Sequence, residues 1–223
     1  VKAPGEYAKI MLPELTFPYL IPGQEVLLDD GKIHLKIVEK AENVTENGGE
    51  NTQEKRYFAK VLWGGLLKSR KSAALPGAKI YPPTLTNSDL ANIKIANEMG
   101  VTGVMQPFVR DHSDLERVKE VLREAGAEDI RLFAKIENMD GVRKLEKLLP
   151  AADEIVIARG DLGNAVHLWD LPGVQRQISE KCRAAGKPFM VVTQMLASME
   201  RSPVPTRAEV NDIFHAVMDG AAS

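Results

Sequence analysis

RLFAKIENMDGVRKLEKLLPAADEIVIARGDLG, residues 131–163, is the stretch that decides the fold. It opens strand-like at Leu132-Phe133-Ala134. Val142, Leu145, Leu148 and Leu149 follow at helical spacing, and a short apolar run returns at Ile155-Val156-Ile157. Strands without polar alternation, separated by an amphipathic helix, are the mark of a parallel sheet covered on its faces.

The same pattern extends both ways. Upstream, residues 87–99 read as a helix with Leu90, Ile93 and Ala96 on one face, followed by an apolar run from Val101 to Met105. Ser113-Asp114-Leu115-Glu116 has the form of a capping box. It would open a helix carrying Leu115, Val118, Val121 and Leu122 and ending near Gly126. Downstream, Pro172 suits a first helical turn ahead of Val174, Ile178 and Cys182. Phe189-Met190-Val191-Val192 reads as a fourth strand, and Thr206-Arg207-Ala208-Glu209 as a second capping box opening a helix through Val217.

The first seventy or so residues differ. EVLLDDGKIHLKIV, 25–38, alternates apolar and polar residues around Asp29-Asp30-Gly31, a hairpin signal because the turn needs positive φ. YFAKVLWGGLL, 57–67, suggests another strand pair broken at Gly64-Gly65. Between them AENVTENGGENTQEK, 41–55, reads as a polar loop. The fold class is therefore α/β with a small β-rich domain. Periodicity does not separate a (β/α) barrel from an open doubly wound sheet, although no strand is followed by a Gly-rich phosphate loop.

Bulk properties exclude several functions. The 223 residues carry 29 basic and 31 acidic side chains, which is no footprint for nucleic acid. No apolar run has the length of a membrane span, and the first residues lack the apolar core of a signal peptide. The single cysteine, Cys182, rules out an internal disulfide framework and suits a reducing compartment. His34, His112, His167 and His215 show no ligand spacing.

In parallel α/β folds, polar residues at the carboxyl ends of strands are the place to look for chemistry. Three ends stand out: Lys135-Ile136-Glu137-Asn138, Ala158-Arg159-Gly160-Asp161-Leu162-Gly163, and Thr193-Gln194-Met195-Leu196. Lys135 and Glu137, two apart, share one face of a strand. Taken singly, they could be a structural ion pair and Asp161 a loop or cap residue. Taken together, two carboxylates at successive strand ends suit Mg²⁺. The glycines beside Asp161 admit backbone N–H groups to an anion, and the lysine adds positive charge for a transferring phosphoryl group.

At these residues the chain resembles the pyruvate kinase family. The matching stretches are KIEN at 135–138, ARGDLG at 158–163, GKP at 186–188, TQML at 193–196, and PTRAEV followed by AVMDGA between 205 and 221. Phe108-Val109-Arg110, Leu75-Pro76-Gly77 and the 29–31 hairpin extend the likeness upstream. The resemblance implies part of a (β/α)₈ TIM barrel, with residues 1–72 as an inserted β-rich lid and 73–223 as barrel strands four to seven with their helices. It implies Mg²⁺-dependent (or Mn²⁺-dependent) phosphate transfer from phosphoenolpyruvate to ADP, giving pyruvate and ATP, in a cytoplasmic homo-oligomer.

By the same resemblance Glu137 and Asp161 match the metal ligands, and Lys135 the lysine that stabilises phosphoryl and enolate charge. Arg159, Gly160 and Asp161 match the turn whose N–H groups bind the substrate carboxylate. Thr193 matches the hydroxyl near the enolate carbon, and Lys71 a lid lysine near the nucleotide phosphates. K⁺ is implied too, its ligands lying in segments without a counterpart here. The third-strand and Gly-Glu-Thr motifs and the effector domain also have no counterpart. Pro107 stands where the family usually has serine, Ala74 where asparagine is common, and Asn164-Ala165-Val166-His167 replaces Val-Glu-Ile-Pro. These departures leave open a non-catalytic homologue that binds a ligand or partner. A different enolate enzyme, such as a lyase, is disfavoured by the hairpin and the PTRAEV series.

Overall fold

The computed structural model describes residues 8–41, 55–78 and 80–223, in two units that part between Pro82 and Pro83. The 41–55 loop lies almost wholly outside the described residues.

The first unit is a small antiparallel sheet. Strands β1 (Glu25–Leu28) and β2 (Ile33–Lys40) form the expected hairpin, with Leu28 opposite Ile33. Asp29, Asp30 and Gly31 all take positive φ, at 49°, 55° and 81°. β3 (Tyr57–Trp63) pairs with β2, and the two-residue β4 (Ala73–Ala74) pairs with β1, giving the order β3-β2-β1-β4. Residues 57–67 are thus one strand, not two: β3 stops at Trp63, and 64–68 join no ladder. The expected boundary at 72/73 would cut off β4. Leu75 also packs into this unit's core with Val26, Leu28, Ile33 and Leu35, so the β-rich unit runs on to Pro82.

The second unit is a four-stranded parallel sheet, β5 (Gly103–Gln106), β6 (Arg131–Ile136), β7 (Glu154–Ala158) and β8 (Phe189–Val192), in chain order. Helices α1 (Asn87–Ala96), α2 (His112–Glu124), α3 (Met139–Arg143), α4 (Leu145–Leu148), α5 (Arg159–Ala165), α6 (Leu171–Ala184) and α7 (Arg207–Met218) alternate with the strands. Every residue of β7 is buried, as its apolar run requires. In β6, Leu132, Ala134 and Ile136 are buried while Phe133 and Lys135 are half-buried. Side chains alternate across a strand, so Lys135 and Glu137 face away from the aliphatic side.

Three local expectations need correction. The cap of α2 is Asp111, whose carboxylate accepts the Ser113 N–H; the helix therefore starts ahead of the 113–116 box. The helix expected through Val142 and Leu149 is two short ones, α3 and α4, meeting at Lys144. The helix from residue 87 is assigned only to Ala96. The Thr206 box forms as read, with Glu209 returning to the Thr206 N–H.

A buried cluster fixes the chain between β5 and α2. Asp114 accepts from Arg110 Nη2 at 2.6 Å, from the Arg110 N–H at 2.9 Å and from the Thr84 hydroxyl at 2.6 Å. Burial alone would raise the Asp114 pKa, but these donors outweigh it and hold the carboxyl at about 2. A depressed folded pKa means stability that is fully present above the ordinary carboxylate range and is lost as pH falls through about 2. Asp114→Asn should therefore lose about 2 kcal/mol at neutral pH. It should also flatten the dependence of unfolding free energy on pH between roughly 4 and 2. Denaturant titrations across that range check this; an unchanged slope would refute it.

Candidate functional site

The carboxyl ends of β6, β7 and β8 lie side by side, because β6 pairs with β7 (Ile136 with Ile157) and β7 with β8 (Ala158 with Val192). The next residues along the chain are Glu137, Arg159 to Asp161, and Thr193.

Glu137 is 3% exposed. Its Oε2 accepts the Phe108 N–H at 2.7 Å, and Phe108 takes a positive φ of 50° to present it. Its Oε1 lies 2.7 Å from Lys135 Nζ as an ion pair but has no hydrogen bond. A buried carboxylate oxygen without a hydrogen bond is costly unless a cation compensates it. Asn138, next in sequence, caps α3 through its Oδ1 at the Gly141 N–H (2.9 Å) and donates to Val109 O (3.1 Å). The turn after β6 is thus tied to the turn after β5, and Glu137 sits between them.

Asp161 lies in the first turn of α5 and is half-buried. Among the described residues no group of three or more His, Cys, Asp or Glu converges.

Thr193 and Gln194 both take left-handed backbone, at φ 79° and 55°. A β-branched residue there is a genuine outlier, costing about 1–3 kcal/mol, and such strain gathers at functional sites. Residues 159 and 160 grip this turn at two points. The Gly160 N–H donates to Thr193 Oγ1 at 2.9 Å, and Arg159 Nη2 donates to Thr193 O at 2.8 Å. The Arg159 guanidinium also reaches Met195 Sδ at 2.8 Å and both carboxylate oxygens of Asp212 at 2.7 Å.

The second unit therefore brings together Lys135 with Glu137, and Arg159 and Gly160 with Thr193. Lys71 belongs to the first unit, where it pairs with Asp29 at 2.9 Å. That hydrogen bond raises the Lys71 pKa and lowers that of Asp29. Cys182 is a core residue whose burial pushes its thiol up to about 12. His34 is buried at 4.2 Å from the Trp63 ring, with Glu25 at 3.2 Å. Sequence reading passed over Asp212 and the Phe108 N–H. Asp212 sits within the matched PTRAEV…AVMDGA region, but no spacing rule links it to Arg159, 53 residues away.

A family model described as pyruvate kinase, barrel domain, matches residues 6–223. The chain is 39% identical over 210 residues to a pyruvate kinase of Geobacillus stearothermophilus, covering 92% of this chain and 34% of that protein. It is 37% identical to one of Bacillus licheniformis, covering 89% and 32%. It is 34% identical to one of Chlamydia trachomatis serovar L2, covering 96% and 41%. The chain thus spans between about a third and two fifths of the length of these relatives.

Proposed function

The chain belongs to the pyruvate kinase family, and from that premise we propose that it carries the metal and enolate half of a site moving phosphate from phosphoenolpyruvate to ADP. The observation that carries this reading is Glu137: buried at a strand end, fixed by the Phe108 N–H, and paired with Lys135.

Glu137 and Asp161 would hold a Mg²⁺ (or Mn²⁺) ion. When bound, it would supply positive charge against the phosphoryl and enolate oxygens. Lys135 adds a fixed cation on the same face, so negative charge developing on those oxygens meets preorganised positive charge. The N–H groups of the Arg159–Asp161 turn bind the substrate carboxylate, displacing the Thr193 hydroxyl from the Gly160 N–H. Phosphate transfer leaves an enolate, whose methylene carbon must gain a proton to become pyruvate. Thr193 holds its hydroxyl toward that carbon. By the same family resemblance Lys71, in the first unit, would serve the nucleotide phosphates, and that unit would be the lid that excludes water during transfer. K⁺ dependence, oligomeric assembly and a place in the cytoplasm belong to this same reading. Among the described residues no helix is long and apolar enough to cross a membrane.

The test is calorimetric titration of oxalate, an enolpyruvate mimic, with and without Mg²⁺, using Glu137→Ala as control. Binding that needs Mg²⁺ and weakens at least about tenfold in the variant is the expected result. Folded protein that binds no oxalate would sink the reading and leave a non-catalytic homologue. Pyruvate release without ADP would point to a lyase.

A further inference from the structure

Arg159 uses its side chain and its neighbour's backbone on the same target. Its guanidinium donates to Thr193 O, while the next N–H, of Gly160, donates to Thr193 Oγ1. Together they hold a turn with φ angles of 79° and 55°, and once substrate takes the Gly160 N–H the guanidinium contact is the one that remains. The guanidinium is in turn fixed from α7, where both Asp212 oxygens lie 2.7 Å from Nη1. The Arg159 side chain is 13% exposed and that of Asp212 34%, so the charge-assisted contact is shielded mainly on the arginine side.

We propose that Asp212 is a positioning residue of the transfer site: by anchoring the Arg159 guanidinium it sets the Thr193–Gln194 turn and hence the place of the Thr193 hydroxyl. The proposal rests on the reading of Thr193 as the hydroxyl at the enolate carbon. Asp212 does not touch substrate; it acts through Arg159. Asparagine there offers one neutral amide oxygen in place of two charged ones, so the guanidinium is left with neutral acceptors only. The turn then relaxes toward ordinary backbone, and the hydroxyl shifts.

The experiment compares Asp212→Asn, Asp212→Glu and the parent in the full-length polypeptide. It reads steady-state kinetics, melting temperature, and amide exchange at residues 193–196. Asp212→Asn is expected to lower kcat about tenfold with KM for phosphoenolpyruvate within about twofold, since misplacement acts on the reacting group rather than on binding. Amides of 193–196 should exchange about tenfold faster with the melting temperature nearly unchanged. Asp212→Glu, keeping the charge, should recover part of both losses, and it carries the comparison if Asp212→Asn does not fold. Unchanged kcat in a folded variant overturns the proposal. So does a joint fall of kcat, KM and melting temperature, which marks a merely structural contact. A parent without turnover overturns the kinase reading instead, and the exchange rates alone then decide whether Asp212 holds the turn.

Discussion

Lys135→Met is expected to lower turnover about 10³-fold, the scale of losing one preorganised electrostatic contact to a transition state. Lys135 Nζ lies 2.7 Å from Glu137 Oε1 at the carboxyl end of β6, and its side chain is only 27% exposed. Methionine matches its length and removes its charge. The substitution also leaves Glu137 buried without the ammonium, so the unliganded variant should melt lower than the parent. Mg²⁺ should recover much of that loss by supplying the missing positive charge, while turnover stays low. Kinetics paired with melts, with and without Mg²⁺, separate the two effects. Turnover within tenfold of the parent would remove Lys135 from the transfer step.

Gly141→Ala carries the largest expected stability effect. A Cβ at Gly141 would stand 2.6 Å from the Val109 carbonyl oxygen, closer than real Cβ atoms come. The obstacle is backbone, and that carbonyl is itself held by Asn138 Nδ2. Either α3 or the turn after β5 must move, and fully buried Val109 gives little room. The expected cost is about 3 kcal/mol, at the upper end for overpacking. For a unit of this size that is a fall of roughly 8 °C in melting temperature. The same turn presents the Phe108 N–H to Glu137, so oxalate affinity should fall with it. A melting temperature within about 2 °C of the parent would show that the two turns slide apart cheaply.

The parallel sheet was legible because its strands are short apolar runs and the helices between them are strongly amphipathic. β7 is the clearest case: Glu154 to Ala158 is buried throughout, as Ile155-Val156-Ile157 implies. Helix starts were legible where a single box governs the turn, as at Thr206 with Glu209. They were misplaced where a competing carboxylate lies two residues earlier, as with Asp111 ahead of Ser113. Gly64-Gly65 suggested a hairpin break, yet a turn signal says nothing about whether a partner strand follows. At the site, the i, i+2 spacing of Lys135 and Glu137 pointed to their ion pair, because the extended chain continues one residue past β6. The Arg159–Asp212 contact was not legible, because it depends on how α7 docks. Nor was the left-handed backbone of Thr193, because threonine is among the residues least expected there.

That last mismatch sets two kinds of laboratory selection against each other at one codon. Glycine at position 193 would hold φ 79° without steric strain, so a library sorted for heat resistance alone would be drawn toward it. The same exchange deletes the hydroxyl that Gly160 now holds. A library sorted for product formation would therefore keep threonine and tolerate the strain. Position 193 is where the two sorted populations should diverge first.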